Sequence, residues 1–221
     1  MPNLTISPEI YKLFPHFKLG IVQYDHIVVG DSPQMLRGRF ELFQENTKLE
    51  FESKSPSDDA AIKEWRSIVK QCGADPSKYR HSAEALLRRV KKGNSIHTVN
   101  SAVDLTNLFS LQYKIPFGIY DLEKITGPIT LKIGTENEKY EALNGRVYNM
   151  ANKFVLCDQN SAFGSPFVDS NRTMVTKETK KALHIIYICP SMKREEAQQL
   201  VGAVAEMFFQ LHGGNVNVQL L

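Results

Sequence analysis

Residues 100–122 read NSAVDLTNLFSLQYKIPFGIYDL, and the hydrophobic rhythm of the chain changes inside this stretch. On its amino-terminal side apolar residues recur at helical spacing, whereas from residue 115 onward they fall into short β-branched and aromatic runs. The segment itself joins a polar grid, Asn100, Asp104, Thr106 and Asn107, to a Pro-Phe-Gly turn and an aromatic-acid pair, Tyr120 and Asp121.

Working outward, residues 19–29 read as a strand and 35–51 as a helix with mixed charges outside. Pro56, Ser57 and Asp58 form a helix start, Ile62, Trp65, Ile68 and Val69 follow at helical spacing, and Gly73 ends that helix. A helix over residues 82–92, closed by Gly93, places Leu86, Leu87 and Val90 on one face. At about 100° per residue this leaves Arg88, Lys91 and Lys92 on the other. Downstream, residues 115–120, 129–133, 154–157 and 183–189 read as strands. Asn144-Gly145 marks a hairpin in which both residues are expected at positive φ. Ser191 is expected to cap a last helix whose stripe runs through Ala197, Leu200, Val201, Val204, Ala205, Phe208 and Leu211 to Gly213-Gly214, with a terminal strand over 216–220. Helices early, strands later and a covering helix near the end predict an α+β fold with a mixed or antiparallel sheet. One domain over residues 1–221 is expected, its first 75 residues forming a strand and a helical part.

With 42% apolar residues the chain can bury a core without crosslinks. Its 27 basic and 24 acidic side chains leave a formal charge of +3, so any nucleic-acid interface must come from clustering. Such a cluster exists in Lys78, Arg80, Arg88, Arg89, Lys91 and Lys92, which supply the charge that phosphate contacts need; a solvated helix face is the competing reading. The three cysteines lack C-x-x-C spacing and the six histidines lack ligand spacing, so neither a disulfide framework nor a metal is expected. No apolar run approaches the roughly 20 residues that span a bilayer, which predicts a cytoplasmic protein without a membrane partner.

The motif N-x-x-V-D-x-T-N, followed by Pro-x-x-x-Tyr-Asp-Leu from Pro116, resembles the editing module of the bacterial phenylalanyl-tRNA synthetase beta subunit, formed by that subunit's third and fourth domains. The likeness covers residues 78–189, roughly half the chain, and is sharpest at Asn100, Val103, Asp104, Thr106, Asn107, Pro116, Asp121 and Leu122. A second block, CDQNSAFGSPFVDSNRTMVTKET over residues 157–179, resembles the module's glycine-rich return to its pocket.

The resemblance implies that fold and a pocket that hydrolyses the ester of wrongly charged tRNA. Thr106 and Asn107 match pocket-lining positions and, with Ser165 and Thr173, are expected to place the amino acid and a water. Gly118, Phe163, Gly164, Asp169 and Arg172 complete the implied pocket, with amides near Gly118 and Gly164 as oxyanion donors and Arg172 steadying an anion. Asp104 and Asn100 are expected to hold the loop. Two positions depart from the family: Gly118 stands where the synthetase has a histidine, and residues 183–189 carry no glutamate, although His184 lies close by.

Each of these signals has a local alternative. Asp104, Thr106 and Asn107 are residue types that bond to their own backbone at helix ends, and the second block is rich in turn formers. Ser165 lacks the G-x-S-x-G elbow and has no histidine assignable to it. The expected function is a freestanding aminoacyl-tRNA deacylase acting in trans in translation quality control, with aminoacyl-tRNA as partner. The alternatives are a non-catalytic tRNA-, RNA- or partner-binding module, or a hydrolase of free esters. A chain this short has no room for an aminoacylation domain and shows no glycine-rich phosphate loop, so neither ATP nor another cofactor is expected.

Overall fold

The computed structural model describes residues 1–221. In chain order the elements are β1 (Leu4–Ile6), α1 (Pro8–Leu13), β2 (Lys18–Asp25), α2 (Gln34–Glu50), α3 (Ala60–Gln71), α4 (Ser82–Lys91), α5 (Ser101–Tyr113) and β3 (Phe117–Asp121). There follow β4 (Ile129–Ile133), β5 (Lys139–Glu141), β6 (Val147–Asn149), β7 (Phe154–Cys157), β8 (Ala162–Gly164), β9 (Lys181–Ile188), α6 (Arg194–His212) and β10 (Asn215–Leu220). The fold is α+β, with its first four long helices before residue 114 and most of its strands after it, as the change of period at residue 115 predicts.

Two four-stranded sheets are ordered β1-β4-β7-β8 and β10-β2-β9-β3, and β5-β6 forms a separate hairpin. Only β1 and β4 run parallel; every other ladder is antiparallel. Residues 1–75 are woven into both sheets, since β2 lies between β10 and β9 while β1 pairs with β4. This stretch is therefore an integral part of both sheets.

The sheets meet around the single tryptophan. Trp65 of α3 lies edge-on to Phe154 of β7 at 6.0 Å and to Tyr187 of β9 at 6.1 Å, and Phe17 closes the cluster 5.2 Å from Phe154. Edge-to-face aromatic contacts of this kind add to the burial of large apolar area, and here they join one helix to both sheets. α3 presents this face because Ile62, Trp65, Ile68 and Val69 share one stripe, and Asp59 caps its start by accepting from the amides of Ala61 and Ile62. Around this junction one apolar core of 46 buried residues extends from Leu4 to Phe208.

Three local expectations are corrected. The strand expected over 19–29 stops at Asp25, because His26 turns to φ 59° and breaks the extended run. In the hairpin after β5 only Gly145 has positive φ; Gly145 N–H donates to Ala142 and Ala142 N–H to Arg146, a turn followed by a left-handed residue rather than a two-residue reversal. Ser191 does not cap α6, whose N-cap is Lys193; the Ser191 hydroxyl and amide bond instead to the Glu64 carboxylate.

Candidate functional site

The signature motif folds as the start of α5. Asn100 caps it by accepting from Val103 N–H at 3.0 Å, and its amide donates to the Val175 carbonyl. Asp104, fully buried, accepts from Ser32 Oγ at 2.5 Å and Val99 N–H at 2.8 Å. Burial raises the pKa of this carboxyl against those bonds, which lower it. Asp104 thus ties the segment between β2 and α2 to α5, and Asn100 ties the segment before β9 to its start.

α5 is enclosed by α2, α4, α6 and β3, so most of its surface is buried. One residue step, about 100° around the helix, therefore decides the fate of the Thr106-Asn107 pair. Thr106 turns inward: its hydroxyl donates to the Ala102 carbonyl at 2.7 Å and lies 2.7 Å from His184 Nε2. Asn107 turns outward, half-buried, into a cleft beside α4.

The pocket expected around Gly118 and Gly164 is filled by Tyr120. Its phenol presses against both glycines, where any added Cβ would collide with the ring, and Phe163 meets the ring edge-on at 5.1 Å. The Tyr120 hydroxyl donates to Asp169 at 2.6 Å. Burial pushes the Asp169 carboxyl up to about 7, against the bonds from Tyr120 and the Ser165 backbone that lower it. Gly118 stands opposite Ile185 in the β3–β9 ladder. Since Tyr187 N–H donates to the Pro116 carbonyl, the antiparallel alternation commits the Gly118 amide to β9 rather than to an oxyanion.

Three further expected site residues staple the second block to the fold. Ser165 is buried, with Tyr140 Oη 2.8 Å away and the amides of Phe167 and Val168 donating to it, and no histidine bonds to it. Thr173 is fully buried and reaches the Phe163 carbonyl. Arg172 makes a two-pronged pair with Asp158, both contacts at 3.0 Å, and donates to the carbonyls of Lys124 and Ser161. A guanidinium so engaged is not free to meet a substrate anion.

The cleft holding Asn107 has a volume of about 550 Å³, within the range of small-molecule sites. α4 supplies Ser82, Ala85, Leu86, Arg88 and Arg89 to one wall and Lys92 follows at its C-cap, while Asn94, Asn107 and Phe167 complete it. No carboxylate lines it, so its polar surface is cationic and amide. Thus the structure unites Asn107 with half of the basic set and leaves Thr106, Ser165 and Thr173 elsewhere.

The remaining basic residues divide by position. Arg88 bonds through Nε to Glu84, a fully buried carboxylate that also pairs with Arg66, and Arg89 Nε donates to the Ser95 carbonyl. Lys91, expected on the same face as Arg88 and Lys92, turns away to the Lys54 carbonyl at 2.7 Å. Lys78 and Arg80 are exposed on the turn before α4, where Lys78 and the buried Lys153 lie over the Tyr79 ring.

Sequence reasoning missed Ser82 and Phe167 as cleft residues. Ser82 N–H donates to the Pro166 carbonyl at 2.8 Å, docking the second block on the start of α4, and the buried Ser82 hydroxyl has no partner. The signal was the Pro-Phe pair after Ser165, but only the docking carries Phe167 to α4.

The fold and the α5 motif place this chain in a family: it belongs to the B3/4 domain family, which matches residues 64–206. It is similar to the uncharacterized protein YhzB of Bacillus subtilis (strain 168), with 32% identity over 219 residues and 99% of each chain covered. It is also similar to the phenylalanine-tRNA ligase beta subunit of Bartonella henselae, with 24% identity over 121 residues. That match takes in 54% of this chain but 15% of the ligase subunit. Among solved structures, an N-terminal fragment of the phenylalanyl-tRNA synthetase beta subunit from Pyrococcus horikoshii aligns with TM-score 0.49 and 13% identity, covering 97% of this chain and 50% of that one. The resemblance read from residues 78–189 is thus borne out and extends further in both directions. No helix of the chain is long and apolar enough to cross a membrane.

Proposed function

We propose that this protein is a freestanding aminoacyl-tRNA deacylase that hydrolyses the ester of mischarged tRNA in trans. The observation that carries the reading is the cleft between α4 and α5, where the Asn107 amide faces the same space as Arg88, Arg89 and Lys92. Membership of the B3/4 family and the likeness to a tRNA ligase subunit supply the substrate class.

An aminoacyl ester is already a reactive acyl group, so catalysis needs orientation, one water and a donor for the developing oxyanion. In this reading Asn107 Nδ2 is that donor, and Phe167 shields the acyl group from solvent. The three cations hold the phosphates of the tRNA end. Thr106, Ser165 and Thr173 act as positioning residues through the core rather than by touching substrate.

The test is release of labelled amino acid from correctly and incorrectly charged tRNAs, with the Asn107→Ala protein alongside. Selective release that falls in the variant supports the proposal. Binding of tRNA with no release from any of them overturns it in favour of a non-catalytic binding module, and hydrolysis of free amino-acid esters at the same rate would remove tRNA from the substrate.

A further inference from the structure

The sheet β10-β2-β9-β3 has two edges of opposite character. At one edge all five residues of β3 are buried. At the other, β10 lies at the surface: Asn215, Asn217 and Val218 are exposed, and Val218 retains 51% of its accessible area. The six residues of this strand, NVNVQL, include no charge and no proline, and its ladder to β2 has no irregularity. Charges, prolines and bulges are what usually keep an open strand edge from pairing with another chain.

The hydrogen-bond register identifies which groups are free. Leu19 and Leu221 exchange both of their main-chain bonds, so the antiparallel alternation turns Gln219, Asn217 and Asn215 toward β2. Val216, Val218 and Leu220 therefore direct their N–H and C=O groups away from the sheet. Of these only the Leu220 carbonyl has a partner, Arg194, and its second lone pair remains open.

From this geometry we infer that β10 is a homodimer interface, pairing antiparallel with β10 of a second copy about a two-fold axis at Val218. In that register Val218 exchanges both bonds with its own mate, and Val216 and Leu220 exchange theirs with each other's. Because the free residues recur at every second position, an axis at the middle one sets each opposite a free residue of the mate, which makes the edge self-complementary, as an isologous contact requires.

The side chains fit the same occupant. Beside the edge, α6 and β10 enclose a shallow apolar depression lined by Gly202, Ala205, Phe209, Val216 and Val218, with Phe209 42% exposed. A second β10 continues the sheet and brings its own α6 over this depression, where Gly202 leaves room for close approach and Phe209 gains cover. The charge on this margin, Glu206, is already bonded to Gln210.

The test is the solution mass of the full chain by light scattering over a wide concentration range, with Val218→Lys and Val218→Pro as variants. A mass twice 25.0 kDa that both variants reduce to 25.0 kDa, with unchanged circular dichroism, supports the inference. Hydrogen exchange provides a second readout without mutation: the amides of Val216, Val218 and Leu220 should be protected at high concentration and lose protection on dilution. A chain that stays at 25.0 kDa at every concentration, or a dimer that persists in both variants, overturns it.

Discussion

The hydroxyl of Thr106 and the ring of His184 are paired at 2.7 Å inside the core, across 78 residues of chain. Because Thr106 gives its proton to the Ala102 carbonyl, it accepts from His184 Nε2–H. Nδ1 is then the acceptor of the Tyr24 hydroxyl, 3.1 Å away. Each neutral ring nitrogen has a partner, and burial, with His212 nearby, holds the ring's pKa down to about 3.

This pair predicts an acid-sensitive contribution to stability. A histidine with a depressed folded pKa stabilises the fold above its unfolded value of 6.5, and that contribution is lost as the pH falls toward about 3. His184→Gln should therefore lose stability at pH 8 and show a shallower decline than the parent between pH 6.5 and about 5 in denaturant titrations. An unchanged slope would mean that the ring is already charged in the folded protein.

Asp169 predicts the opposite slope. Its folded pKa is raised from 3.8 to about 7, so the folded state holds the proton more tightly and stability declines as the pH rises through that window. Asp169→Asn keeps an acceptor for Tyr120 and removes the charge. It should be more stable than the parent at pH 8, by on the order of a few kcal/mol at most, and equal to it near pH 4. Urea midpoints at the two pH values check this.

Thr106 and Asn107 should separate stability from activity. Thr106→Val loses a buried hydrogen-bonding hydroxyl and leaves His184 without its partner, a destabilisation of about 1–3 kcal/mol. Asn107→Ala changes a half-buried group at the cleft and should shift the melting temperature little. If Asn107 is the oxyanion donor, that variant should lower kcat for deacylation by about 100- to 1000-fold. Melting curves and single-turnover hydrolysis together distinguish the two residues.

The basic residues of α4 should differ in a way that their sequence does not suggest. Arg89→Glu and Lys92→Glu should weaken tRNA binding and reduce its salt dependence, whereas Lys91→Glu, directed toward Lys54, should have little effect. Arg88→Ala removes one of two partners of the buried Glu84 and should destabilise the fold by about 1–2 kcal/mol besides weakening binding. Filter binding at several salt concentrations, paired with thermal melts, reads both effects.

Much of the fold was legible because its signals are local. Gly73, Gly93 and Gly213 mark helix ends through their own backbone chemistry, and the stripes of α3, α4 and α6 follow from spacing alone, whereas the start of α3, expected at Pro56–Asp58, falls to Asp59 because those three residues form a separate turn. The short pieces β1, α1 and β8 were not legible, since three to six residues carry too little periodicity to stand out. Ser191 misled for a related reason: a serine before a helix resembles a cap, but a carboxylate from α3 claims it.

By itself the sequence determined most of the longer secondary elements, the α+β class, the family and the presence of a polar motif and a basic helix. Only the tertiary structure decided that Thr106 faces His184 while Asn107 faces the cleft, that Tyr120 fills the space between Gly118 and Gly164, and that Phe167 reaches α4. Helical spacing sets the angle between neighbouring side chains, but what stands opposite each one comes from residues tens of positions away. Their volumes and unpaired polar groups settle which side chains the core takes in and which remain to meet a ligand.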